Sequence, residues 1–334
     1  MYAELLARAA DDIEAGGPTA EVLVDHADAP GPSAVALRLA GSVHRLVLER
    51  RAGPLATCYP SVGGTWEPEA GWTAFRALLA DEPDAVREWL DRPPQTNEVG
   101  RSAALMAGLL ALGDALPVRL FEIGSSGGLN LLADRFRYES HDEMLHGPGS
   151  PVLLEQAWSG PGPWSRPWPR VVERVGSDVM PIDVRTTEGR LALTAYVWPD
   201  QTHRHERLRG ALALAQQAEL DVRRQGAAGF VDDLALADGH VTVLWHSVMW
   251  QYLDGAEQEH VRARIDALGA SASAQAPFVH LCLEPTRRTP GSDHEFWLVL
   301  ESWPGGERRF LARSPGHGVP TQWEGPTGSG LAFP

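Results

Sequence analysis

Val118-Arg-Leu-Phe-Glu-Ile-Gly-Ser-Ser-Gly-Gly-Leu-Asn-Leu-Leu132 is the stretch whose reading decides the fold. Val118, Leu120, Phe121 and Ile123 form a short apolar run that predicts a buried strand. The run breaks at Gly124-Ser125-Ser126-Gly127-Gly128, and Leu129, Leu132, Ala133 and Phe136 then recur at helical spacing. Strand, glycine turn and helix make the opening unit of a doubly wound α/β sheet. The glycines allow a sharp turn and a close approach to a ligand, and a helix N-terminus offers free N–H groups.

Two chemistries fit this turn, beside the plain reading of a strand-to-helix corner. Glu122, two residues before the first glycine, resembles the acidic position in motif I of class I S-adenosylmethionine-dependent methyltransferases. That resemblance implies a cofactor site built from Glu122, Gly124, Ser125, Ser126, Gly127, Gly128 and Asn130. The same letters satisfy Gly-x-Ser-x-Gly, a nucleophile elbow with Ser126 as nucleophile, His317 as base and Asp293 as third member. The spacing is not Gly-x-Gly-x-x-Gly, which argues against a dehydrogenase.

Outward from the turn, residues 1–94 predict an N-terminal helical section, with stripes such as Leu5, Leu6, Ala9 and Ile13. Residues 95–334 then form the Rossmann-like domain. Gln95-Thr-Asn-Glu-Val-Gly-Arg101 is a dense polar cluster ahead of an apolar helix expected over Ala103 to Leu116. Its residues suit a helix cap, or the presentation of Gln95, Asn97, Glu98 and Arg101 to a ligand. Residues 139–170, rich in glycine, proline and tryptophan, predict a long inserted loop.

Val171 to Met180 predicts the second strand, with Asp178 near its end. A carboxylate there accepts two hydrogen bonds at once, as a ribose diol requires, or serves as a turn residue. Leu220 to Arg224 suits a short third strand, and Val241 to Trp245 a fourth ending in His246-Ser247. In open α/β sheets the ligand crevice lies at the carboxyl ends of the strands. His246 and Ser247 therefore share an edge with Glu122, with His246 a candidate general base or a packing residue. Phe278 to Leu283 is a fifth strand, and Glu295 to Ser302 with Arg309 to Ala312 reads as a hairpin.

Composition narrows the classes. The 334 residues carry a formal charge of −15, which argues against nucleic acid or an anionic membrane as partner and leaves a small molecule. Lysine is absent, which removes Schiff-base enzymes and P-loop kinases of the usual kind. Two cysteines, Cys58 and Cys282, are too few for a disulfide framework or a zinc site, so no metal is expected. With no long apolar run and no leader at Met1, a cytoplasmic protein is expected.

Several stretches together are similar to one family. Gln95 to Arg101, Glu122 to Leu131, Arg174 to Asp183, Val197-Trp-Pro-Asp-Gln201 and His246-Ser247 resemble the uncharacterised family known as domain of unknown function 2332. Tyr59 to Gly64 and Gly316-His-Gly318 extend the likeness over nearly the whole chain. The resemblance implies a class I methyltransferase-like fold, with a seven-stranded sheet and an N-terminal helical section. It carries no established activity. On it rest the expectations of S-adenosylmethionine as cofactor, Asp178 as the ribose ligand, Trp198 in the acceptor pocket, and His246 with Ser247 as catalytic residues. Gly127 stands where the family more often has alanine, and Gln225-Gly-Ala-Ala228 where an aspartate often follows the third strand. The functions left open are a methyl transferase acting on a small metabolite, a serine hydrolase at Ser126, and a ligand-binding member of the fold.

Overall fold

The apolar run Val118–Ile123 is strand β1, buried at every position but one, in a computed structural model that describes residues 1–29, 33–92, 94–113, 115–142 and 144–325. Ahead of it lie helices α1 (Tyr2–Glu14), α2 (Pro18–Val22), α3 (Val35–Leu48), α4 (Pro68–Asp81), α5 (Pro83–Leu90) and α6 (Ser102–Leu112). After it come β2 (Arg137–Ser140), β3 (Leu145–His146), β4 (Leu153–Ser159), β5 (Val171–Asp178), α7 (Thr187–Ala195) and α8 (Thr202–Ala215). The chain continues through β6 (Asp221–Arg224), α9 (Ala227–Asp233), β7 (Val241–Ser247), α10 (Gly255–Ser271), β8 (Phe278–Thr286), β9 (Glu295–Trp303), β10 (Glu307–Arg313) and β11 (Thr321–Trp323). None of the helices among the described residues is long and apolar enough to cross a membrane.

Two compact units divide these elements. The first comprises Met1–Thr96 and Asp183–Glu206, and the second Asn97–Ile182 and Arg207–Pro334. The first unit is helical. Pro18, Pro68 and Pro83 open α2, α4 and α5, where the missing amide costs nothing and the fixed φ suits the first turn. Leu5, Val43, Leu46, Phe75, Leu79 and Val86 meet in its core. Arg45 is buried there with its guanidinium 4.9 Å from the Trp89 ring centre, tied to Glu49 and to the Ala85 carbonyl.

The second unit is built on one sheet of order β3-β2-β4-β11-β10-β9-β8-β7-β1-β5-β6. The segment β6-β5-β1-β7-β8 is parallel throughout, and β9 and β10 follow antiparallel. Parallel strands covered on both faces read as nearly continuous apolar runs, which is why β1, β7 and β8 stand out in the sequence. Glu122, Trp245 and Leu281 lie in register on one face. That face meets α6, whose Gly108 approaches so closely that a Cβ would stand 2.4 Å from a Leu281 methyl. Phe121, Leu244 and Phe278 face the other way, into a core with Phe230 of α9 and Val261, Ile265 and Leu268 of α10.

Among the described residues the sheet has eleven strands where seven are expected. The segment 139–170, anticipated as a loop, holds β3, β4 and the end of β2. β11 joins them to the rest by pairing antiparallel with β10 and parallel with β4. The alternation that marks a strand is broken inside β4: Gln156 takes a left-handed φ of 47° and the pairing with β2 slips a register beyond Tyr138. The helix expected after the glycine turn is instead a 3-10 segment, Leu129–Arg135. Side chains take the carbonyls an α-helix would have used: Arg174 Nε donates to Leu131 O, Trp168 Nε1 to Asp134 O, and the Tyr138 hydroxyl to Ala133 O.

Candidate functional site

After β2, β3 and β4 at the far end of the sheet, the chain forms β5 and β6 on one side of β1 and β7 on the other, so the order of the parallel strands reverses between β1 and β7. The carboxyl ends of these two strands frame the crevice where open α/β sheets bind ligands. Glu122 stands at that end of β1, on the α6 face, and is 2% exposed. No well-formed hydrogen bond reaches its Oε2 or the indole N–H of Trp245, its register neighbour on β7, although that indole and the Asn130 amide lie near enough to favour the ionised carboxyl. Burial pushes the Glu122 carboxyl up to about 8; the Asn130 amide, the Trp245 indole and the Arg101 charge pull it down more weakly, and Asp178 adds to the rise. Glu122 is therefore largely a neutral acid at pH 7.

Around it the polar residues brace one another. Ser102 Oγ donates to Asn130 Oδ1 at 2.8 Å, and both are buried. Asn97 Oδ1 accepts from the Leu129 amide at 2.9 Å, so it caps the 3-10 segment after the turn. Glu98 Oε1 accepts from Gly100 N, and its other oxygen lies 3.5 Å from His317 Nδ1. Arg101 donates to the carbonyls of Gly316 and Ser247.

The glycine turn is tied down by Asp178, at the end of β5. Its Oδ2 accepts from Ser126 N at 2.9 Å and its Oδ1 from Met180 N at 2.8 Å. Each oxygen keeps a second lone pair, so the carboxylate holds the turn and still has acceptor capacity. Ser125 Oγ donates to Ser177 O, Ser126 is buried with φ 54°, and Gly127 is buried. Gly124 and Gly128 have positive φ, and the space a Cβ would take is filled by the Met249 side chain and by Val222. The turn therefore needs those two glycines for its own packing, with or without a ligand.

Gln95 and Trp198 belong to the first unit, where the Trp198 ring lies 5.4 Å from that of Tyr2. Ser247 lies on the Glu122 face. His246, one residue away, points to the α9–α10 face and is 2% exposed. Its Nδ1 is 2.8 Å from Glu284 Oε1, its Nε2 is 3.0 Å from His280 Nε2, and its ring stacks on Trp250. The expectation of a base reaching a substrate beside Glu122 is thus corrected, because strand alternation turns His246 away. For the elbow reading, Asp293 sits exposed between β8 and β9, and His317 pairs with Glu98.

A family described as an uncharacterized protein conserved in bacteria, domain of unknown function 2332, matches residues 1–323. The chain belongs to this family. A comparison with curated proteins finds no match. In this family member Ser102, bonded to Asn130, and Trp245, the register neighbour of Glu122, join the expected residues, as do His280, Glu284 and Glu301 around His246. A signal for the second group was present: Phe278-Val-His-Leu-Cys-Leu-Glu284 places polar residues at every second position of an otherwise apolar strand.

Proposed function

We propose that the crevice at the ends of β1 and β7 binds S-adenosylmethionine and that the protein transfers its methyl group to a small metabolite. The observation that carries this reading is the unpartnered, buried Oε2 of Glu122 at the strand-order reversal, beside a glycine turn. A buried carboxyl oxygen without a donor is costly, and a cationic amine seated on it removes that cost. The residues fit the cofactor at its amino-acid end through Glu122, with Trp245 and Asn130 alongside, and at its ribose through the spare lone pairs of Asp178. When bound, the cofactor supplies an electrophilic methyl group. The chain's own work is positioning and exclusion of water: Asp178 fixes the turn, and Arg101 and Glu98 fix the segment facing it. His246 takes no part in this assignment.

Calorimetric titration with S-adenosylmethionine and S-adenosylhomocysteine tests the reading. Because Glu122 is largely protonated at pH 7 and a cationic amine selects its ionised form, binding releases close to one proton, about 0.9 for a pKa of about 8. Repeating the titration in buffers of different ionisation enthalpy measures this release, which Glu122→Gln abolishes along with most of the affinity. A wild-type protein that binds neither ligand overturns the proposal.

The hydrolase reading retains one supporting observation, the left-handed backbone of Ser126 at a strand-to-turn corner. Labelling by a fluorophosphonate that is lost in Ser126→Ala moves the assignment there.

A further inference from the structure

The face of the sheet opposite Glu122 carries a second polar constellation. Register places His246 of β7 beside Cys282 of β8, and His280 of β8 beside Glu301 of β9. His246 Nδ1 lies 2.8 Å from Glu284 Oε1, which also accepts from the amides of Met249 and Trp250. His280 Nδ1 lies 2.9 Å from Glu301 Oε2, which an Arg262 guanidinium approaches at 2.6 Å, with Arg308 3.3 Å from the other oxygen. Both carboxylates are therefore acceptors, and each imidazole must present Nδ1–H to its own carboxylate.

With both rings neutral, that assignment leaves a lone pair on each Nε2. The two atoms face each other 3.0 Å apart in a buried site. Two lone pairs at that distance repel unless a proton or a metal ion lies between them. The Cys282 sulfur completes a group whose donor atoms all lie within 4.8 Å of one another. A carboxylate behind each imidazole is the arrangement that fixes the tautomer of metal-ligating histidines. Beside them Glu284 Oε2 is buried and has no partner.

We infer that His246 Nε2, His280 Nε2 and Cys282 Sγ form a site for a late first-row divalent ion of the zinc class, with Glu284 and Glu301 orienting the imidazoles. Two nitrogens bound tetrahedrally at about 2.0–2.1 Å stand roughly 3.3 Å apart, close to the separation already present. A tetrahedral Zn–S bond of about 2.3 Å stands the sulfur roughly 3.6 Å from those nitrogens, within the 4.8 Å inside which the three donor atoms already lie. One thiolate and two imidazoles select zinc, cobalt or copper over magnesium or calcium. The expectation of no metal rested on counting cysteines, and this site needs only one. It does not depend on the cofactor proposal, because its ligands face the other side of the sheet.

Cobalt(II) added to chelator-treated full-length protein is the test. The expected result is uptake of one equivalent, with a thiolate-to-cobalt charge-transfer band in the near ultraviolet and visible bands of tetrahedral intensity. Cys282→Ser, nearly isosteric, keeps the fold, loses the charge-transfer band and binds at least tenfold more weakly. Glu301→Gln, which reaches the three ligand atoms through His280, keeps the band and weakens binding by about tenfold to a hundredfold. Absence of saturable uptake by the wild type overturns the inference, and so does a charge-transfer band that persists in Cys282→Ser. Nitrogen-15 spectra showing one proton shared between the two Nε2 atoms in protein saturated with cobalt or zinc also overturn it.

Discussion

Glu122→Gln isolates the cost of a buried carboxyl, and its effect follows from position alone. In the folded protein the group is raised from 4.5 to about 8, chiefly by burial. The fold favours the neutral acid, so its contribution is fully present below pH 4.5. Between pH 4.5 and about 8 the unfolded chain releases this proton while the folded chain keeps it, and stability falls as pH rises. Above about 8 the loss is complete and the curve flattens. At about 1.4 kcal/mol per pKa unit the total is on the order of 5 kcal/mol. Glutamine has nearly the same shape and never ionises, so the variant lacks this dependence and is the more stable protein at pH 8.5. Urea midpoints from tryptophan fluorescence at pH 5 and 8.5, for wild type and variant, give the difference directly, because other titrating groups cancel. Equal pH dependence in the two proteins refutes the argument and means that Glu122 is solvated or already paired.

Four further substitutions probe the scaffold. Asp178→Ala removes the carboxylate that accepts from the amides of Ser126 and Met180 and is expected to cost about 1–3 kcal/mol in a denaturant melt; a change within error means the turn is held by its other contacts. Gly128→Ala places a Cβ at φ 72° and 2.6 Å from Val222 Cγ2, at an expected cost of about 1–3 kcal/mol. Val222→Ala in the same chain recovers part of this cost, a coupling that a double-mutant cycle measures. Trp158→Ala removes a fully buried ring stacked 4.8 Å from Tyr138 and 4.5 Å from Trp164, at an expected cost of about 3–5 kcal/mol. A loss below about 1 kcal/mol would show that β2 and β4 do not depend on that stack.

The parallel strands were legible because burial on both faces leaves few polar residues to interrupt them, as in Val241-Thr-Val-Leu-Trp245. The strands beyond β10 were hidden for the converse reason. β4 breaks its alternation at Gln156, and β11 is three residues long and has meaning only through its partners. The 3-10 segment was misread as a helix because Leu129, Leu132, Ala133 and Phe136 are buried at helical spacing. Its carbonyls are instead taken by side chains that include Arg174 and Trp168, some thirty to forty residues further on, which no local window includes. Glu122 and Asp178 were legible as positions at strand ends. The direction of His246 was not: an edge is visible in the sequence, but a face depends on the register of β7 against β1, a pairing between distant segments.

That parity separates two chemical environments within one residue step of β7. Trp245 and Ser247 look toward α6 with Glu122, where a neutral acid and an indole N–H lack partners. His246 looks toward α10, where two carboxylates hold two imidazoles head to head. Glu284 links the second environment to the rim, because the oxygen that orients His246 also accepts the amides of Met249 and Trp250. Met249 in turn occupies the space beside Gly124, the first residue of the turn that follows Glu122. A shift of Glu284 on metal binding would reach the glycine turn through the 249–250 backbone, without any ligand shared by the two faces. If this link operates, cofactor affinity differs between metal-loaded and metal-free protein, and Glu284→Gln reduces that difference while Glu122 stays intact. Equal affinity in the two states means that the sheet insulates its faces from each other.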